Sequence, residues 1–127
     1  MTGVQTCALP ISLYHASAWM IGKGISLCID ALKQDISGEN ILIISPLLLG
    51  EDVWKPEKDP EFDTESVQTS NKLGEVLQKV AQTQGVHFLA ASDIAEPSPV
   101  DDEHMTAEGH GRLAQAIYEK LVEMNIV

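Results

Sequence analysis

Apolar residues change their spacing several times along this chain, and each change marks an element. Ile21, Ile25, Cys28, Ile29, Leu32 and Ile36 recur at steps of three and four, the single stripe of an amphipathic helix. Ser17 stands before the stripe as an N-cap, and Ser37-Gly38 supplies its stop. Gly22 and Gly24 weaken the first turns by roughly 1 kcal/mol each against alanine. The period then breaks. Ile41-Leu42-Ile43-Ile44-Ser45 is a continuous apolar run closed by Pro46, which suits a strand covered on both faces, as in a parallel sheet. A second helical stripe follows, Leu73, Val76, Leu77, Val80 and Ala81, within a helix from about Thr64 to Gln84 that Gly85 ends. Val86 to Ala90 forms a second short strand. The last helix begins near Thr106, which is N-cap-like, with Glu108 in the first turn where the macrodipole favours an anion. Its stripe is Leu113, Ala114, Ile117, Leu121 and Met124.

The strand–helix–strand succession from Ile41 to Ala90 implies a parallel pair joined by a right-handed crossover, and so an α/β fold. Two strands and three helices make a short inventory. Two strands buried on both faces leave sheet edges unsatisfied, so the composition is that of a domain and the element list that of half of one. Residues 46–63 read as a long loop with Pro46, Pro56 and Pro60. Through Ser66 it carries the acids Glu51, Asp52, Glu57, Asp59, Glu61, Asp63 and Glu65 against Lys55 and Lys58. It leaves the end of a strand where open α/β sheets place ligands. Trp54 and Phe62 are its large apolar groups, readable either as substrate-binding residues in a pocket wall or as anchors that pin the loop to the body.

Composition narrows the partners. The chain has 127 residues, enough for one small domain, and 44% of them are hydrophobic. No stretch approaches the run of about 18 apolar residues that a membrane span needs. Eight Lys+Arg against 19 Asp+Glu give a formal charge of −11, which disfavours nucleic acid and anionic membrane as partners. Cys7 and Cys28 show neither metal nor disulfide spacing, and Cys28, on the first helix, reads as a core thiol. The segment Met1 to Ile11 resembles the conceptual translation of a sequencing-adapter oligonucleotide. Residues 1–11 are therefore expected to be a non-native leader, and residues 12–127 the domain.

The chemistry gathers near the end. Asp101 lies three residues before His104, on a loop that runs into the last helix. That spacing lets the carboxylate fold back and hold one ring nitrogen, leaving the other free to act as a base. A metal reading of Asp101, His104 and His110 lacks a further ligand pair at suitable spacing, and His110 reads instead as a structural histidine tying the helix start to the loop. His87, on a strand, reads as a core or edge residue, and His15 carries no signal. Ser45 lies at a strand end but lacks the sharp glycine-flanked turn that exposes a nucleophile.

Asp101-Asp102-Glu103-His104-Met105-Thr106-Ala107-Glu108-Gly109-His110 resembles the block of the SGNH (GDSL) hydrolases, commonly Asp-Gly-x-His-Leu-x-x-x-Gly-His. Ile41–Pro46 is similar to the family strand ending in Ser-Pro, Glu65–Gln84 to the helix after its substrate loop, and Val86–Ala91 to the strand that usually reads Phe-Leu-Asp-Ala. The likeness covers roughly Ser12 to Leu121, is strongest to the arylesterase/acetylesterase branch, and corresponds to the C-terminal half of that family. It implies a three-layer α/β/α, flavodoxin-like fold, here with an incomplete parallel sheet. It implies His104 as general base, Asp101 as its orienting carboxylate, a small ester as substrate, no metal or organic cofactor, and a homo-oligomer as one possibility for the intact parent. The chain departs from the family in three respects. The serine of the Gly-Asp-Ser block is absent, as are the oxyanion glycine and the asparagine of Gly-x-Asn-Asp. Asp102 stands where glycine is frequent, and Ala90 where aspartate is usual. The expectation is a truncated serine ester hydrolase that is silent alone; the alternative is a non-catalytic α/β interaction module. Localisation is left open.

Overall fold

The computed structural model describes residue 11 and residues 15–127. Cys7 and the remainder of the expected leader, Ile11 apart, lie outside the described residues. Ile11 itself is buried against the core.

The element order is helix α1 (Ala18–Leu32), strand β1 (Leu42–Ser45), helix α2 (Thr64–Gln84), strand β2 (His87–Ala90) and helix α3 (Ala107–Glu123), with short 3₁₀ turns at Gly38–Asn40 and Ala91–Asp93. The two strands pair in parallel, with Leu42 opposite His87, Ile43 opposite Phe88, Ile44 opposite Leu89 and Ser45 opposite Ala90. A parallel pair cannot be closed by a hairpin, so α2 serves as the crossover. It packs on both strands, and α1 packs along α2.

Local chemistry fixes the helix ends. The Ser17 hydroxyl accepts from the Met20 amide at the start of α1. Asp63 and Ser66 form a reciprocal capping box on α2, and Gly85 ends it in the left-handed region at φ 65°. Thr106 caps α3 by accepting from the Gly109 amide. The core is built from Ile21 and Ile29 of α1, Ile41 and Ile43 at β1, and Leu73, Leu77 and Ala81 of α2, with Val53 and Phe62 reaching in from the loop. Val76 and Val80 pack at its margin.

Four expectations are corrected. The α1 stripe does not run on to Ile36: the helix stops at Leu32, and Leu32 and Ile36 are exposed. Lys33 caps it and sends its ammonium to Gln84 at the end of α2, so α1 ends where its partner helix ends. Cys28 is exposed rather than a core thiol, because Ile21 and Ile29 define the face that meets α2. On α3, Ala114 is exposed and Leu113, Ile117 and Leu121 are only half-buried, leaving Gly109 as its one buried residue, with Met124 buried at its C-cap. The strand pair is likewise not covered on both faces, since Ile43 is buried while Ile44 is 38% exposed. Among the described residues the second face of the sheet has little to pack against it.

Gly22 and Gly24 separate two roles that look identical in sequence. A Cβ on Gly22 would lie 2.5 Å from Cγ1 of Val76, a β-branched side chain with little rotamer freedom, whereas a Cβ on Gly24 would meet nothing within 4 Å. Gly24→Ala is therefore expected to stabilise the fold by about 0.5–1 kcal/mol through helix propensity. Gly22→Ala should destabilise it by about 1–3 kcal/mol through overpacking. Urea unfolding of both variants checks the opposite signs; two shifts in the same direction would contradict this packing.

Candidate active site

Residues 97–105 fold back on themselves between β2 and α3. Pro97 and Met105 form an antiparallel bridge, the Ser98 amide donates to the His104 carbonyl (2.6 Å), and the Asp102 amide donates to the Ser98 carbonyl (2.7 Å). Asp101 sits at the bend and uses both carboxylate oxygens. Its Oδ1 accepts from the backbone amides of Glu103 and His104, each at 3.0 Å, which fixes the turn. Its Oδ2 lies 2.7 Å from Nδ1 of His104. The two side chains that the sequence points to are thus in contact, and Nε2 of the imidazole has no hydrogen-bond partner among the described residues, on a side chain that is 73% exposed.

The charges around the ring tune both members. The hydrogen bond to Asp101, then the charge of Glu103, raise the His104 pKa above the ordinary imidazole value, outweighing partial burial. For Asp101, burial pushes upward, but hydrogen bonds from the Glu103 amide, the His104 ring and the His104 amide outweigh it and hold the carboxyl below the usual range. Glu103 moves the other way: burial raises it first, and the neighbouring carboxyls of Asp59 and Asp101 add to that against the pull of His104. Asp59 reaches this cluster from the acidic loop.

That loop meets the His104 turn at a second point. Nζ of Lys58 lies 2.6 Å from Oδ2 of Asp102, with both side chains largely buried, and the Gly50 amide donates to the Asp102 carbonyl at 2.8 Å. Asp102 adopts φ 59°, in the left-handed region. Glycine is frequent at this position in the resembling family, which is the signal for such a backbone. Lys58 carries no such signal, because a contact between distant loops leaves no periodicity.

The remaining nominated residues fall elsewhere. Phe62 is buried in the core and anchors the loop, as does Val53. Trp54 is 38% exposed and its indole N–H donates to the Glu51 carbonyl within the same loop. Ser45 is fully buried, with a hydroxyl lacking any hydrogen-bond partner among the described residues, so it is not presented to solvent as a nucleophile. His110 is exposed and does not tie the helix start to the loop; the Thr106 cap and the bond from Arg112 Nε to the Ile94 carbonyl do that instead. Asp101, His104 and His110 do not form a three-ligand group. His87 is half-buried on β2, and His15 lies 3.5 Å from Asp63. A shallow depression lined by His15, Ser17, Glu65, Ser66 and Thr69 lies at the starts of α1 and α2 and does not include His104.

The pKa directions give a test with a defined sign. Because the folded His104 pKa is raised, stability from its pairing is full below the unfolded value of about 6.5 and is lost as pH rises through the folded value. Because Asp101 is depressed, its share is present above about 3.8 and is lost as pH falls through its folded value. An NMR titration of His104 should therefore give a midpoint above about 6.5, and Asp101→Asn should bring that midpoint down. A midpoint unmoved by Asp101→Asn would contradict the pairing.

No family model matches this chain, and no curated protein matches it. Solved structures do. The native aryl esterase of M. smegmatis is 20% identical, with a TM-score of 0.73 over 87% of this chain and 54% of its own. Est24, a carbohydrate acetylesterase from Sinorhizobium meliloti, is 23% identical, with a TM-score of 0.72 over 87% of this chain and 54% of its own. A further crystal structure is 29% identical, with a TM-score of 0.82 over 91% of this chain and 55% of its own. The chain spans about half the length of the structures it matches, and over that span it has the α/β fold, with a parallel sheet, of aryl and acetyl esterases.

Proposed function

We propose that this chain is the histidine-bearing, C-terminal portion of an SGNH-type serine ester hydrolase acting on small acyl esters. The observation that carries this is the 2.7 Å contact between Asp101 Oδ2 and His104 Nδ1 with Nε2 free, on a backbone shared with aryl and acetyl esterases. A carboxylate on Nδ1 selects the tautomer whose Nε2 accepts a proton, and it stabilises the imidazolium that results.

In the complete site, Nε2 of His104 removes the proton from a serine hydroxyl as its oxygen attacks the ester carbonyl. The imidazolium then gives that proton to the departing alkoxide or phenoxide, leaving an acyl-enzyme. Water repeats the cycle: His104 takes a proton from it, the hydroxide adds to the acyl carbon, and the proton returns to the serine oxygen as the acid leaves. The raised His104 pKa means that the base is free only at the alkaline side of its titration, so activity should rise with pH through that point. In this reading a serine and oxyanion donors supplied by the parent's other half complete the site. Losing a single such donor typically costs about 10²–10³ in rate, so the chain alone should be silent. In this reading the sheet face that leaves Ile44 exposed, and the half-buried stripe of α3, are where the rest of a three-layer domain packs.

With p-nitrophenyl acetate, the chain and its His104→Ala variant should release p-nitrophenol indistinguishably. Supplying the serine-bearing half, fused or as a second chain, should produce a burst and turnover that His104→Ala removes by about 10³-fold or more. A clear difference between the two chains alone, or complemented activity that survives His104→Ala, would overturn the proposal. Growth of stability on addition of zinc or manganese would favour metal-dependent hydrolysis instead.

A further inference from the structure

We infer that Lys58 and Gly50 are positioning elements for His104: together they clasp Asp102 in its left-handed backbone, which lets Asp101 cap the turn and hold the imidazole. The inference rests on His104 being the base, and it concerns how that base is oriented rather than the chemistry it performs. Three observations from different residues converge on it. First, Asp102 is a non-glycine residue at φ 59°, a backbone conformation that side-chain-bearing residues rarely hold without surroundings that impose it. Second, the surroundings do impose it. Lys58 Nζ meets Asp102 Oδ2 at 2.6 Å, with only 17% and 14% of the two side chains exposed, and the Gly50 amide bonds to the Asp102 carbonyl. Third, the backbone at Gly50 passes so close that a Cβ there would overlap the Asp102 side chain, so the approach requires glycine at 50.

The consequence for the site follows from connectivity. Asp102 lies between Asp101 and the two amides, Glu103 and His104, that the Asp101 Oδ1 accepts from. If the residue in the middle relaxes out of the left-handed region, those amides swing away from Oδ1, and the Asp101 carboxylate no longer faces Nδ1. An ion pair supplied by a distant loop thus does what glycine would do by permission. At Asp102 the conformation is enforced instead of merely allowed. The same contact makes the acidic loop and the His104 turn one unit, with Asp59 placed against Glu103 on the same side.

Electrostatics gives the test a sign that a packing role alone would not produce. The charged groups acting on the His104 ring are Asp101 and Glu103 from its own loop and Asp59 from the acidic loop. Removing the Lys58 cation and leaving Asp102 unpaired would, by charge alone, raise the His104 pKa. Loss of positioning does the reverse, because it releases the ring from Asp101. In the full chain, Lys58→Met should lower the His104 NMR titration midpoint by about half a unit or more. It should also reduce hydrogen-exchange protection at the Glu103 and His104 amides, and Lys58→Arg should preserve both. Gly50→Ala should reproduce the Lys58→Met shift by pushing Asp102 away. Asp102→Gly removes the need for enforcement, so in that background neither Lys58→Met nor Gly50→Ala should lower the midpoint. Circular dichroism establishes that each variant is folded, and the Gly50 pair decides the matter should Lys58→Met fail to fold. A midpoint that stays or rises in both Lys58→Met and Gly50→Ala overturns the clasp while leaving the Asp101–His104 contact standing. An effect that persists undiminished in the Asp102→Gly background also overturns it. A wild-type midpoint at the ordinary imidazole value, unmoved by Asp101→Asn, removes both this inference and the base assignment beneath it.

Discussion

One carboxylate does two jobs in this molecule, and the rest of the site depends on their being done together. Oδ1 of Asp101 organises its own loop by accepting from two successive amides, and Oδ2 holds the imidazole three residues on. Neither job is separable from the other, because the turn that Oδ1 builds is what brings Nδ1 of His104 within reach of Oδ2. The arrangement is local in sequence, yet its geometry is set from outside. Asp102 must keep a left-handed backbone for the turn to close, and its side chain and carbonyl are gripped by Lys58 and Gly50. The loop is tied down at its far side as well, where the Thr106 cap starts α3 and Gly109 packs closely on Ala95 and Met105.

The body of the protein serves this site by bringing two loops out at the same end of a parallel strand pair. Crossover through α2 places the ends of β1 and β2 side by side, so the acidic loop leaving Ser45 and the turn following Ala90 emerge next to each other. Anchors at Val53 and Phe62 sink the acidic loop into the core, which lets Lys58 and Asp59 stand over the His104 turn. Burial among carboxylates has a price in charge. Glu103 is raised first by burial and then by the carboxyls of Asp59 and Asp101, against the pull of His104, while Lys58 pairs with Asp102. The strand pair is covered by α2 on the side that buries Ile43, whereas Ile44, on the opposite face, is exposed.

Much of this was legible in the residues because it is encoded by short-range rules. Ser17, Gly85 and Thr106 mark helix ends by side-chain capping or by backbone freedom, and such signals act within one turn. Asp101 and His104 were readable for the same reason, since three residues is the reach of an Asx-type turn. The failures have a common physical origin. Periodicity names an apolar stripe but not the length of the surface that receives it, so the sequence pattern extends α1 past Leu32 to Ile36 and places Cys28 in the core. Phe62 could be a pocket wall or an anchor on sequence alone, because an aromatic residue in a loop satisfies both patterns. His110 matches a motif position, yet its side chain has no hydrogen-bond partner among the described residues. The Lys58–Asp102 pair joins loops from the two strand ends, and nothing in the spacing of either residue announces the other. Its only trace was indirect, a side chain at a position where glycine would be at ease.

The most direct test of the account is the tautomer of His104. A carboxylate on Nδ1 must leave the proton there once the ring is neutral, because a bare Nδ1 lone pair facing Asp101 would be repelled. Long-range ¹H–¹⁵N correlation spectra of the full chain, recorded above the His104 midpoint, distinguish the two ring nitrogens. The Asp101 contact requires a protonated Nδ1 and an unprotonated Nε2, a pattern that Asp101→Asn should dilute with the other form. A neutral ring carrying its proton on Nε2 would mean that the free nitrogen is not a base, and the structure's central contact would not do what is claimed for it.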